Sequence, residues 1–222
     1  MMRRKRSLLT VCFIAMAILL LPGTAAMAYQ VQLSDGVGTD GGGMFGVWNA
    51  SVVPHTFLFN TFCLERNEYI NFSKHYDFTI DTWAIQGGVG GGSPDPLDPD
   101  TAFLYYKFRT NPLSLGMDVT KSFDVTAFQY AIWYLEDELT PDAETSIPLF
   151  YRAKAKSYLD LAYADNSQDI GVVRVLNLTY KDATGKIIDA QSMLTLVPEP
   201  SILILLGLGM FGVGIASRKM KK

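Results

Sequence analysis

Two apolar segments, residues 8–21 and 202–216, each fenced on its outer side by basic residues, bracket the chain and decide which part of it can fold as a globule. The first follows Arg3-Arg4-Lys5-Arg6 and runs into Pro22-Gly23 and the small-residue site Ala26-Met27-Ala28, the three regions of a secretory signal peptide. Cleavage is expected after Ala28. The second is uncharged and is followed by Arg218-Lys219-Met220-Lys221-Lys222. As a helix it covers about 23 Å at 1.5 Å per residue, short of a roughly 30 Å hydrocarbon core but sufficient when flanking Lys and Arg stems snorkel. A buried C-terminal helix is the competing reading, and Gly207, Gly209, Gly212 and Gly214 weaken it. Basic residues before the first segment and after the last put both ends on the cytoplasmic side and everything between them outside.

Three parts are therefore expected: a signal peptide over residues 1–28, an extracytoplasmic domain over 29–196, and a tail over 197–222 with a membrane-spanning helix over 202–217. The central length suits one domain with a real core. Eight of the 19 Lys and Arg lie in the two ends but only Glu199 of the 22 acids does, leaving 11 basic against 21 acidic groups. A surplus of ten negative charges excludes nucleic acid and anionic lipid surfaces as partners and admits neutral or cationic ones.

Within the domain the residue pattern changes twice. Up to Trp83 it is rich in Val, Phe, Thr, Ile and Tyr in short runs (residues 45–53, 56–64, 76–83) divided by Gly, Pro and Asn, which predicts strands. Residues 86–99 are a Gly/Pro/Asp loop. Helical spacing follows over 101–109, 122–139 and 144–164. Two closing strands, 172–180 and 186–196, flank Lys181-Asp182-Ala183-Thr184-Gly185, a hairpin connection with Gly where a positive φ is expected. The expected class is α+β, an antiparallel sheet or sandwich carrying a helical insertion.

The order Pro198-Glu199-Pro200, short apolar helix, basic terminus resembles the PEP-CTERM sorting signal of bacterial proteins handled by an exosortase, a membrane-embedded transpeptidase-like cysteine protease. That resemblance implies an exported cargo, delivered by the secretion machinery and held at the inner membrane until cut near Pro-Glu-Pro. Its destination would be the cell surface or an exopolysaccharide-containing extracellular matrix.

Chemistry-bearing residues are few. Cys12 leaves with the signal peptide, so Cys63 is the one cysteine of the mature chain, an odd thiol in an exported protein. Its setting in Phe57-Leu58-Phe59-Asn60-Thr61-Phe62-Cys63-Leu64 is also that of an inert buried Cys. Gln129 is the second oddity. Its helical neighbours Val125, Ile132 and Trp133 are apolar, and an amide in such a stripe costs about 1–3 kcal/mol unless it finds a partner, for which a strand edge would serve.

Thr61-Phe62-Cys63-Leu64-Glu65 and Phe128-Gln129-Tyr130-Ala131-Ile132-Trp133 resemble the two signature segments of the thioester domains of bacterial surface adhesins. The resemblance implies that the Cys63 thiol displaces the amide nitrogen of Gln129 as ammonia, giving an internal thioester. Glu65 and Trp133 would support it, with Glu65 or His75 handling the proton. The bond would capture an amine or hydroxyl on a surface or polysaccharide, once, without enzymatic turnover. Such a bond survives only where water is excluded, a shell that Phe57, Phe59, Phe62, Tyr130, Trp133 and Tyr134 are expected to supply. The alternative is an exported, noncovalent matrix or carbohydrate-binding module, for which Trp48, Trp83 and Trp133 would offer stacking faces.

No cofactor is expected. A metal site from His55, Cys63, His75 and Asp77 lacks ligand spacing. Asp95, Asp98 and Asp100 offer oxygen ligands for Ca²⁺ but not the 12-residue loop pattern, and turn chemistry explains them more simply. Asn49, Asn71 and Asn177 stand in Asn-x-Ser/Thr triplets, a pattern common by chance. No nucleophile elbow or phosphate loop is present, so a third reading, an exported hydrolase, finds no catalytic set.

Overall fold

A computed structural model of the protein describes residues 29–39, 42–90, 92–139, 144–166 and 168–197. The predicted signal peptide, Pro198, Glu199, Pro200 and the predicted spanning segment 202–217 lie outside the described residues. Among the described residues, no helix is long and apolar enough to cross a membrane.

Among the described residues the strands form two three-stranded antiparallel sheets and a small ribbon. β1 (Val31–Thr39), β2 (Gly42–Asn49) and β3 (Thr56–Thr61) pair in sequence order, and β4 (Asp77–Asp81) lies beside β7 (Val173–Lys181) and β8 (Ile187–Leu196) in the order β4-β7-β8. β5 (Trp83–Ala84) and β6 (Asp95–Pro96) make the ribbon. Two single bridges, Val31 with Tyr76 and Cys63 with Met193, join the larger sheets at both edges. The hydrogen-bonded order therefore runs β1-β2-β3-β8-β7-β4 and returns to β1. Closing the ring through these two single bridges leaves the antiparallel sheets fewer of the unpaired edges that would invite pairing with other chains.

The ring has its own core of Val31, Leu33, Val47, Cys63, Tyr76, Leu176, Leu178 and Met193. A second core lies between strands and helices, and β2 is the wall shared by both, with Val47 in one and Met44 in the other. Alternate residues of a strand point to opposite faces, so a strand covered on both sides reads as a run of apolar and small residues. β2, Gly42-Gly43-Met44-Phe45-Gly46-Val47, is such a run.

The three α-helices among the described residues are inserted between β6 and β7, as the sequence pattern predicts. α1 (Pro99–Thr110) starts at Asp98, whose carboxylate accepts from the N–H groups of Asp100 and Thr101 at 2.7 and 3.3 Å. This capping role, with Pro99 in the first turn, is the turn chemistry expected for that Asp cluster. α2 (Ser122–Leu135) is buried continuously from Val125 to Trp133 and packs on β1 and β2. A helix enclosed all round belongs at the centre of a core. Around it Phe62, Phe108, Phe128 and Tyr158 form an aromatic cluster with ring centroids 4.9–5.8 Å apart.

Helix ends differ from the sequence expectation. α2 stops at Leu135, not 139, because Asp137 takes a left-handed φ of 57° and turns Glu136 and Glu138 inward. The third helix, α3 (Leu149–Asp165), does not begin at Glu144. A 3₁₀ turn, Glu144–Ser146, precedes Pro148, whose ring disfavours helical backbone at Ile147. Strand 76–83 is likewise interrupted between Asp81 and Trp83. The β7–β8 hairpin follows expectation: Gly185 has φ +84° and the Asp182 carboxylate accepts from Thr184 and Lys186 N–H groups.

Candidate functional site

Residues 62–64 continue β3 across to β8. Leu64 donates its N–H to Ser192 O at 3.0 Å, and Leu194 donates to Phe62 O at 3.2 Å. Those bonds fix the backbone on either side of Cys63 and leave the N–H and C=O of Cys63 itself for another partner. That partner is Gln129. Cys63 N–H donates to Gln129 Oε1 at 3.1 Å, and Gln129 Nε2 donates to Cys63 O at 2.9 Å. The structure thus joins the two residues that the sequence separates by 66 positions. Gln129 is fully buried, and its amide meets the strand-edge partner that the apolar stripe demanded. Two satisfied hydrogen bonds, about 1 kcal/mol each net, offset what an unpaired amide would forfeit at this depth.

The approach is close on every side. A side-chain carbon at Gly42 (φ +140°) would sit 2.7 Å from Gln129 Cγ and 2.8 Å from Trp133 Cη2. Only glycine lets β2 lie this tightly against α2 at Gln129.

Beside Cys63 is a cavity of about 550 Å³, lined by Phe45, Cys63, Glu65, Glu68, Tyr130 and Trp133 among others. Gln129 does not line it. Of the expected water-excluding shell, Phe62, Tyr130 and Trp133 are buried around the Cys63–Gln129 contact. Phe57 is not part of it: 46% exposed, it packs against Trp48 on the outer face of the β2–β3 pair. Phe59 is half-buried under the Arg109 guanidinium, and Tyr134 packs with the helical core. His75 also lies elsewhere, exposed and 5.4 Å from the ring of His55. Of the two candidates for proton handling, the structure brings only Glu65 to the cavity.

Two neighbouring carboxyls, Glu65 and Glu68, set the electrostatics of the cavity. Glu65 is 2% exposed, and its Oε1 is buried without a hydrogen-bond donor. Burial, then the neighbouring Glu68 charge, push its carboxyl up to about 10, so Glu65 carries a proton at neutral pH. Glu68 is raised too, chiefly by burial. The Cys63 thiol is pushed well up, first by burial and then by the neighbouring Glu65 and Glu68 carboxyls, and it stands as a neutral thiol. A cysteine protease needs the opposite, a thiolate in an electropositive setting. Trp133 Nε1 is a second buried polar atom without a partner.

Three residues at this site, Glu68, Gln191 and Glu138, carry no sequence signal of their own. Gln191 donates to Glu65 O at 2.7 Å, and Glu138 gathers the N–H groups of Arg66, Val89 and Gly90 at 2.7, 2.7 and 3.3 Å. A methyl at Gly88 would run into the Glu138 carboxylate. No group of three or more His, Cys, Asp or Glu side chains among the described residues is arranged to hold a metal ion. Asn177 is 1% exposed and bonded to Asp81, Trp83, Ile85 and Ser192, which leaves no room for a glycan there.

The last backbone bond of the described chain runs from Val197 N–H to Val172 O, one residue past β8. Residues 196–219 match the PEP-CTERM protein-sorting motif. No curated protein and no solved structure matches the chain. The motif implies recognition by an exosortase and an exported protein with a membrane-anchored sorting signal. The match covers the tail alone.

Proposed function

We propose that the chain is an exported, exosortase-processed protein whose folded domain closes an internal thioester between Cys63 and Gln129 and spends it once, binding covalently to an amine or hydroxyl of a surface or exopolysaccharide. One observation carries this reading: both polar atoms of the Gln129 carboxamide are held on the backbone of Cys63 itself. Amide carbonyls resist thiols, so the pair must be held at contact before anything happens. The Cys63 N–H on Oε1 also polarises the carbonyl and stands where negative charge develops as sulfur attacks. Burial of Gln129 behind the cavity wall keeps water from the product. The protein is then a covalent binder, not an enzyme, and its inner-membrane stage lasts only until sorting.

Intact mass of the exported protein tests this. The wild type is expected to weigh one ammonia less than its processed sequence, methylamine to add at Gln129, and Cys63→Ala to abolish both effects. A wild type of unreduced mass with an alkylatable Cys63 would leave Gln129 as a purely structural clamp and the domain as a noncovalent matrix module.

A further inference from the structure

We propose that Glu65 and Glu68 act as one proton-carrying pair for the thioester site, moving the thiol proton to the departing amide nitrogen on closure and returning a proton to sulfur when an amine opens the bond. The inference rests on the thioester reading above and adds Glu68 as a working residue. Geometry selects the pair. Cys63, Glu65 and Glu68 line one cavity together. Glu65 is anchored from behind by Gln191, whose Nε2 reaches Glu65 O at 2.7 Å and Oε2 at 3.4 Å. Glu68 is anchored by the Ser192 N–H at 3.2 Å. Both anchors come from β8, the strand that also brackets Cys63.

No donor reaches Glu65 Oε1 when it is a carboxylate, a costly state for a group 2% exposed. Protonated, it has a hydrogen to give, and Glu68 is its hydrogen-bond neighbour. The other charged and titratable groups facing the pair are Glu138 from the end of α2, Asp189 of β8, and Arg66 and Tyr130 at the cavity wall. None is a better acid: Glu138 is committed to three backbone N–H groups, Arg66 holds its proton permanently, and burial pushes the Tyr130 hydroxyl up.

The step balances within the site. As Sγ bonds to Gln129 Cδ, the Glu68 carboxylate takes the thiol proton. As the Cδ–Nε2 bond breaks, the Glu65 carboxyl protonates the nitrogen, which leaves as ammonia. The pair again holds one proton, now on Glu68, and sharing it with Glu65 restores the starting state. Opening by an amine runs the same transfers in reverse, with the amine giving up the proton that sulfur receives.

The test uses the full chain expressed in an exporting host, intact mass as readout and methylamine as the probe nucleophile. Glu65→Gln and Glu68→Gln keep size and remove the acid. Each is expected to slow methylamine addition about a hundredfold or more, the usual span for a positioned acid–base group, or to leave the ammonia unreleased, while the melting temperature stays near that of the wild type. Glu68→Asp should restore part of the rate. In the wild type the rate per unit of free amine should fall in the alkaline range as the pair loses its shared proton, and this fall should vanish in Glu65→Gln. Because Glu68 is only half-buried, its variant tests the idea even where Glu65→Gln folds poorly. A wild type that reacts while both Gln variants keep its rate and pH profile would refute the pair and leave the thioester standing. A wild type that never loses ammonia would refute both.

Discussion

Two carboxyl side chains are buried almost equally, Glu65 at 2% exposure and Glu138 at 1%, and the structure treats them in opposite ways. Glu138 sits at the end of α2 and is surrounded by backbone donors from two separate segments, Arg66 on one side and Val89 and Gly90 on the other. It is a clasp that ties the Gly-rich loop to the strand carrying Cys63. Glu65 receives no backbone donor from another segment on its carboxyl, only the Gln191 amide at 3.4 Å, and lies beside the Glu68 carboxyl. Depth alone therefore says little about what a buried acid does; the supply of N–H groups separates an anchor from a held proton.

The sharpest way to break the comparison is to remove the clasp. Glu138→Ala strands three backbone N–H groups and is expected to cost about 3 kcal/mol or more of stability, read by chemical denaturation. Glu65→Gln, in contrast, should leave stability near that of the wild type. Equal losses in the two variants would erase the distinction. Next in size is Gly42→Ala, which forces a methyl against Gln129 and Trp133 and should cost about 1–3 kcal/mol as an overpacked contact, with slower ammonia loss.

The remaining prediction concerns pH dependence. Glu65 is raised to about 10 and Glu136, buried and near Asp98, to about 8, so the folded state holds their protons more tightly than the unfolded chain does. Stability is then fullest below the ordinary Glu range and declines as pH rises towards those values. Glu136→Gln should flatten this decline between about pH 5 and 8, measured as melting temperature against pH; an unchanged slope would show that Glu136 does not titrate there.

The sequence carried Cys63 and Gln129 because each is an exception, an odd thiol and an amide in an apolar stripe, and local pattern exposes exceptions. Glu65 was visible only as a neighbour of Cys63. Glu68, Gln191 and Glu138 were not legible, since acids and amides are ordinary in loops and strands and their roles arise only when β8 is laid against residues 62–64. Strand and helix content was readable from period, whereas ring closure was not, because it rests on two single bridges that leave no periodic trace. The late start of α3 was readable in Pro148; the early stop of α2 at Leu135 was not, because Asp137, whose left-handed φ follows it, looks like any polar residue of a helix end.

β8 has a mechanical consequence. It leads directly into the segment matched by the sorting motif, and it is paired along most of its length with β7 and beyond that with the backbone flanking Cys63. A pull applied beyond Leu196 therefore enters along the strand axis and loads many parallel hydrogen bonds in shear together, rather than peeling them one at a time. If the proposed capture takes place, drag on the bound partner would be borne by these strands.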